Sequence, residues 1–387
     1  MWISELRFQD PRTKTFLGSP SLVRLDDGTI VASHDYFGPD SPLDHHGRQF
    51  LTSIYRSEDD GLTWKSITHI AGAFWSSLFI HNGGLYLFGP NAGLGDIVIR
   101  RSDDGGFRWT KPVDENTGLL ARGGVGEEPP NYHCAPVPIL VHEGRIWRGF
   151  EDIDDAKARF ASGFRALVMS APVDADLLKA ESWQKTDVLP YDQEADPPEY
   201  GACNDDTPKW MGSGKPGWLE GNVVVGRDGQ MYDVLRMNSF PVLNKAAFVR
   251  IEDGGKRLEF NPAADIRDMP GGGCKFDIRW DEASGRYWTL VNDMQDQPYP
   301  VNRNRLSLYS TADLHTWTFH KVLLEDNLEA DPDDSVKNTG YQYVAWQFDG
   351  DAIMYLSRTA YDGADNFHNS NRITFSRIRD FRKLIAE

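Results

Sequence analysis

The chain has 387 residues, 40% of them hydrophobic and 12% aromatic, enough to bury a large core. Its net charge of -17 argues against nucleic acid and against an anionic membrane as partners. No apolar run approaches the length that crosses a bilayer, and no linker or charge block marks a boundary, so residues 1–387 read as one domain.

The opening MWISELRFQD has neither a basic nor an apolar leader region, so no signal peptide is expected in the chain as written. The segments that follow share one pattern. SPSLVRLDDGTIVASHDYFG, WSSLFIHNGGLYLFGPN, APVPILVHEGRIWRGFED, EGNVVVGRDGQMYDVLRMN, KFDIRWDEASGRYWTLVND and YQYVAWQFDGDAIMYLSRTAY each show a strand, a turn with Gly, and a second strand. The turn glycines align as Gly28, Gly84, Gly144, Gly229, Gly285 and Gly350. A further short apolar run follows each hairpin, as in LTSIYRS, DIVIRRS, RALVMS, AAFVRI, RLSLYS and RITFSRI. Four short strands per unit, repeating at roughly sixty residues, predict propeller blades. The expectation is an all-β fold, a single β-propeller of four-stranded antiparallel blades. Six are marked, and the long interval from Gly144 to Gly229 leaves room for a seventh.

RSEDDGLTW (Arg56 to Trp64) and RSDDGGFRW (Arg101 to Trp109) fall where a third strand turns into a fourth. Their Asp can accept hydrogen bonds from N–H groups of its own turn, while Gly supplies an unusual backbone angle. Their Trp begins the last strand and can plug the gap between blades. STADLHTW (Ser310 to Trp317) is a weaker copy. This motif resembles the Asp-box, or BNR repeat, of sialidases and their relatives, and the resemblance runs over nearly the whole chain. It implies the propeller fold and leaves function open.

In a propeller the loops of all blades converge on one funnel, so residues far apart in sequence meet. Second strands end in polar residues, among them Arg148, Arg236 and Arg358. Each Arg could hold a loop through an acid such as Glu151, Asp152 or Asp362. Three at equivalent repeat positions favour a clamp on an anionic ligand, since guanidiniums grip a carboxylate bidentately. Sialidases use such a clamp, with one arm from an Arg-Ile-Pro at the first strand; here Gly18 stands in its place. They also pair a Glu with a Tyr nucleophile, which the resemblance assigns to Glu220 and Tyr341. Glu220 precedes Arg236 by sixteen residues.

NYHCAPVP…GRIWRGFED, YQYVAWQF…YLSRTAY…NFHNSN and SPSLVRLDDGTIVASHDYFG resemble the propeller family acting on α-L-rhamnosyl-glucuronate termini of arabinogalactan-type glycans, which includes lyases and rhamnosidases. Ulvan lyases share a Tyr followed sixteen residues later by Arg, as Tyr132 and Arg148 are here. A lyase removes the proton beside a uronate carboxylate; an Arg clamp stabilises the enolate, and Tyr or His moves the protons. That chemistry points to Tyr132, His133 and His34 as proton carriers, Arg148, Arg236 and Arg358 as the clamp, and Glu151, Glu220 and Tyr341 beside the substrate. Ulvan lyases carry histidines near the second hairpin, whereas here only His69 and His81 flank it, so ulvan itself is not expected as substrate.

The expected enzyme is therefore an L-rhamnose-α-1,4-D-glucuronate lyase on an acidic oligosaccharide or polysaccharide. A glycoside hydrolase (rhamnosidase or exo-sialidase) and a non-catalytic glycan-binding propeller are the alternatives. No cofactor is required by this chemistry. Acidic clusters at Asp152–Asp155, Asn204–Asp206 and Asp331–Asp334 read first as solvated loops and second as holders of a structural Ca²⁺. Trp75, Trp147, Trp210 and Trp218 are candidate sugar platforms or core. Cys134, Cys203 and Cys274 match no zinc or disulfide pattern and read as buried thiols.

Overall fold

The computed structural model describes residues 2–43, 47, 50–124, 129–154, 161–192, 195, 200, 216–239, 242–293 and 302–385. Six antiparallel sheets are arranged as the blades of a propeller. Blade 1 is built on Ser21–Arg24, Ile30–Phe37, Leu51–Ser57 and Lys65–Ala71, from the axis outward. Blade 2 uses Ser77–His81, Gly84–Pro90, Ile97–Ser102 and Leu119–Ala121. Blade 3 centres on Arg145–Ile153 and Arg165–Pro172, with Asn131–His133 and Leu140–His142 on its inner side. Blade 4 starts with Gly217–Val225, Met231–Asn238 and Lys245–Glu252. Blade 5 contains Ile278–Asp281, Arg286–Val291, Arg305–Thr311 and Trp317–Glu325.

Blade 6 is made from both ends of the chain. Gly340–Asp349, Ala352–Ala360 and Arg372–Arg379 are completed by Ser4–Phe8, which pairs antiparallel with Arg372–Arg379. SELRF alternates charge and apolar residues, as a half-exposed outer strand should, yet it lies outside the aligned repeats and so escapes a repeat-based reading. Arg372 holds Glu5 across this junction at 3.0 Å. The interval between Gly144 and Gly229 adds no seventh sheet among its described residues.

The aligned turn glycines take positive φ in five hairpins. In blade 2 the turn is Asn82-Gly83 instead, and Gly84 is already in the second strand. The Asp-containing turns form as their chemistry demands. Asp59 Oδ1 accepts from Thr63 N at 2.9 Å, and Asp104 Oδ1 from Phe107 N and Arg108 N at 3.0 and 2.9 Å. The third turn is one residue shorter and uses Thr311 rather than Ser310; Asp313 accepts from His315 N and Thr316 N. Trp64 packs edge-on against Phe375 of blade 6, and Trp109 joins the apolar cluster shared by blades 1 and 2. The motif is an inter-blade fastener, remote from the funnel.

Candidate functional site

The register of the inner hairpins decides which residues reach the mouth. In blade 4, Leu219 pairs with Arg236 but Asn222 pairs with Val234, so one extra residue is squeezed into the inner strand. Blade 6 repeats this, with Gln342 opposite Arg358 and Ala345 opposite Leu356. A bulge of this kind re-aims one side chain and is a common device beside functional sites. The bulged residues are Glu220, at φ 65°, and Tyr343, at φ 49°. Neither is glycine, so both carry backbone strain.

The bulge explains a difference from the sequence expectation. Tyr341 lies in the apolar cluster between blades 5 and 6, with burial pushing its phenol up. Tyr343, two residues on, turns into the funnel. Its ring lies 4.8 Å from the guanidinium carbon of Arg358 and 5.5 Å from that of Arg303, and its hydroxyl is 3.5 Å from Arg236 Nη1. Arg236 Nη1 also donates to Glu220 Oε2 at 3.1 Å. Burial raises the Glu220 carboxyl, but Arg236, with further help from His133 and a hydrogen bond from Tyr343, pulls it below the ordinary carboxylate range. Burial and Glu220 raise the Tyr343 phenol against the pull of the three arginines. At neutral pH the pair is thus a phenol beside an ionised carboxylate.

The charges around Tyr343 do not balance. Arg236 is paired with Glu220. Arg303 and Arg358, each 4% exposed, have no carboxylate at ion-pair distance among the described residues. Arg303 donates to Gln342; Arg358 donates to Ser370 Oγ and the His368 carbonyl and lies over Phe37. Burial, reinforced by Arg303, drops the Arg358 guanidinium to about 10. Two buried cations without a counter-ion among the described residues are costly. Arg303 sits in the loop between the second and third strands of blade 5, outside the aligned hairpins, and only its place before RLSLYS could have flagged it.

Blades 1 and 3 contribute carboxylates. Asp35 lies near the end of the second strand of blade 1 and accepts from Thr52 Oγ1 and Trp75 N, both at 3.0 Å. Burial lifts its carboxyl to about 7, against those hydrogen bonds and the attraction of Arg358. A Cβ on Gly18 would lie 3.0 Å from Asp35 Cβ, so the missing arginine arm is replaced by close packing on Asp35. In blade 3, His133 Nδ1 and Glu151 Oε2 are 2.7 Å apart, and Glu151 Oε1 accepts from Gly221 N, next to Glu220.

Three sequence-predicted residues fall elsewhere. Arg148 is fully buried and spends its donors on the Phe88 and Ala135 carbonyls and on Cys134 Sγ, sandwiched between Phe88 and Phe150. Tyr132 lies in the apolar cluster of blades 2 and 3. His34 turns to Tyr55 and the Asp35 carbonyl, and burial depresses it to about 4. His69 bonds Ser53, and His81 bonds the Val173 carbonyl beside its turn. Trp147 and Trp218 are core, Trp75 borders the funnel, and Trp210 and Cys203 lie outside the described residues. Cys134 and Cys274 are buried free thiols. Asp152 and Asp154 pair with Arg165, and Asp331 caps the helix Pro332–Asn338. Asp155 and Asn204–Asp206 lie outside the described residues.

No family model and no curated protein matches the chain. Among solved structures it is similar to an α-L-arabinanase of Penicillium chrysogenum complexed with arabinobiose, at 17% identity and TM-score 0.56 over 98% of both chains. It is similar also to the α-L-arabinofuranosidase Arb93A of Fusarium graminearum, at 12% identity and TM-score 0.57, covering 98% of this chain and 96% of that one. Trypanosoma rangeli sialidase, in complex with sialic acid, aligns at 15% identity and TM-score 0.56 over 96% of this chain and 55% of its own. At these identities the likeness establishes a shared propeller fold.

Proposed function

We infer that the chain is a carbohydrate-active enzyme that cleaves a glycosidic bond beside a sugar carboxylate. The observation that carries this is the pair of buried guanidiniums of Arg303 and Arg358 on either side of Tyr343, neither with a carboxylate at ion-pair distance among the described residues. With Arg236 they would grip a carboxylate, as planar forks do. The phenol lies among them, so the reacting carbon must bear the carboxylate or adjoin the carbon that does. Such a layout suits a 2-keto acid sugar such as sialic acid, or a uronate. A neutral sugar would leave both cations unmatched.

Hydrolysis through Tyr343 fits this arrangement best. The phenol oxygen attacks the anomeric carbon, the phenolic proton passes to Glu220, and the leaving sugar departs with its oxygen, which takes up a proton from solvent. Glu220 is suited to the task because Arg236 keeps it ionised before the attack. Water then displaces the phenol oxygen, losing its proton to solvent while Glu220 returns its proton to Tyr343, and the sugar leaves with its configuration retained. The propeller hydrolases similar in fold, which act on arabinan and sialosides by their names, support a glycan substrate.

A second reading is β-elimination at a rhamnosyl-glucuronate linkage, as the sequence resemblance suggests. The His133–Glu151 pair next to Gly221 favours it, since it offers a second proton carrier beside the arginines. Tyr343 would then stand where Tyr132 was expected. The test is incubation with sialosides and with rhamnosyl-glucuronate oligosaccharides. Free acidic sugar, or free rhamnose, without the ultraviolet absorbance of an unsaturated uronate means hydrolysis. Free rhamnose with that absorbance means elimination. Binding without any release, unchanged in Tyr343→Phe, would reduce the chain to a glycan-binding propeller.

A further inference from the structure

Glu220 and Tyr343 share a position with a third residue. In blade 2, Ser77 pairs with Phe88, while Phe74 N donates to the Pro90 carbonyl at 2.9 Å. One extra residue again fits between two paired positions, as in blades 4 and 6. The bulged residue is Trp75, at φ 44°. A bulky aromatic at that angle is a strained outlier that persists only where its surroundings enforce it.

The surroundings do enforce it. Trp75 N donates to Asp35 Oδ2 at 3.0 Å, and the Trp75 carbonyl accepts from Cys134 Sγ at 3.3 Å and from Arg148 at 3.5 Å. Buried groups of blades 1 and 3 thus hold the two peptide groups that flank one blade 2 residue. The ring itself is only partly buried, edge-on to His133 at 4.6 Å and tilted on Phe74 at 4.6 Å. Its indole N–H has no acceptor within the protein among the described residues. Three alternate blades therefore present a strained, non-glycine residue at the same point of the mouth. Two of them form the reacting pair.

We propose that Trp75 is the platform that binds the sugar on the far side of the scissile bond, stacking on its apolar face and donating the indole N–H to one of its hydroxyls. The arginines of blades 4, 5 and 6 fix the carboxylate-bearing sugar. Trp75, on blade 2, faces it across the funnel, where the neighbouring neutral sugar must extend. Aromatic rings with a polar tip suit such half-wet, half-apolar contacts. Trp75 would then set specificity for the partner sugar without touching the carboxylate. This rests on the proposed cleavage beside a carboxylate.

The test compares two substrates: the acidic sugar linked to a neutral hexose, and the same sugar carrying a methyl group in its place. In Trp75→Ala the preference in kcat/KM for the first over the second falls about tenfold, the range of one lost aromatic contact. Trp75→Phe retains packing and part of the preference. An unchanged ratio in both variants overturns the proposal. Calorimetric titration with the neutral saccharide alone separates this from failure of the cleavage reading. If no acidic glycoside is cleaved, binding that disappears in Trp75→Ala and persists in Arg358→Met still supports the platform. Binding that survives Trp75→Ala, or is undetectable in the wild type, sinks it.

Discussion

Arg148 of blade 3 and Arg236 of blade 4 both follow apolar strands, yet one is sealed in the wall and the other opens on the funnel. Counting from the hairpin-closing pairs explains the difference. Arg236 lies six residues beyond Gln230, whose carbonyl closes its turn, and Arg358 six beyond Ala352, whereas the residue six beyond Arg145 is Glu151, not Arg148. Arg148 is three residues nearer the turn, on the opposite face of its strand, because strand side chains alternate. There it meets the Phe88 and Ala135 carbonyls rather than the mouth. Position in the repeat, read to the single residue, thus separates a cation that fastens two blades from one that faces ligand. The mouth positions are Asp35, Glu151, Arg236 and Arg358, acidic on one side of the funnel and basic on the other.

The sharpest way to break this comparison is at the tyrosines. Tyr343→Phe keeps the ring between Arg303 and Arg358 but removes the oxygen. A fall in kcat of at least about 10³-fold is expected, with the fold unchanged by circular dichroism. Tyr132→Phe and Tyr341→Phe, both in apolar clusters, should keep kcat within a few-fold. Equal losses in all three would mean that the bulge in blade 6 does not select the reacting residue.

The arginines give the next largest contrast, and its sign reverses between stability and activity. Arg148→Met strips buried carbonyls of their donors and should cost about 3 kcal/mol in urea unfolding. Arg358→Met removes a buried cation that has no ion-pair partner among the described residues, so stability should hold or rise, while kcat/KM on an acidic glycoside falls on the order of 10²-fold. Arg236→Met should lose on both counts, because Glu220 would be left buried and unpaired.

These contrasts also mark what was legible in the sequence. The six hairpins and the Asp turns follow from glycine, aspartate and alternation within each unit, and they are local. Glu220 and Arg236 were within reach because both lie in one hairpin. Tyr343 was missed by two residues, since a bulge inserts a residue without any glycine to announce it. Arg303 was missed because its loop carries no repeat signal. The outer strand Ser4–Phe8 pairs with residues at the far end of the chain, a contact that no local pattern encodes.

Asp35 gives a pH-dependent test of the acidic side. Its folded carboxyl is raised from 3.8 to about 7, so the native state holds the proton more tightly than the unfolded chain. Stability should therefore fall as pH rises through the window from 3.8 to about 7 and level off above it. A shift of that size corresponds to about 4 kcal/mol at most. Asp35→Asn, neutral throughout, should abolish that part of the slope in unfolding midpoints measured across the window. A slope that persists unchanged would place the titration on another group.

The smallest effect separates the fastener from the site most cleanly. Cys134 accepts from Arg148 at 3.0 Å and donates to the Trp75 carbonyl at 3.3 Å, with burial pushing its thiol up to about 12, so it is a neutral link at working pH. Cys134→Ala removes that link but leaves Arg148 its contacts to Phe88 and Ala135. The loss should be about 1 kcal/mol, since weak sulfur hydrogen bonds and one small side chain are all that is removed. Turnover should scarcely change, because Asp35 still holds the Trp75 N–H and Arg148 its carbonyl. If turnover drops together with stability, the wall behind Trp75 is part of the site, and the division between a fastening cation in blade 3 and a ligand-facing one in blade 4 would have to be redrawn one residue layer deeper.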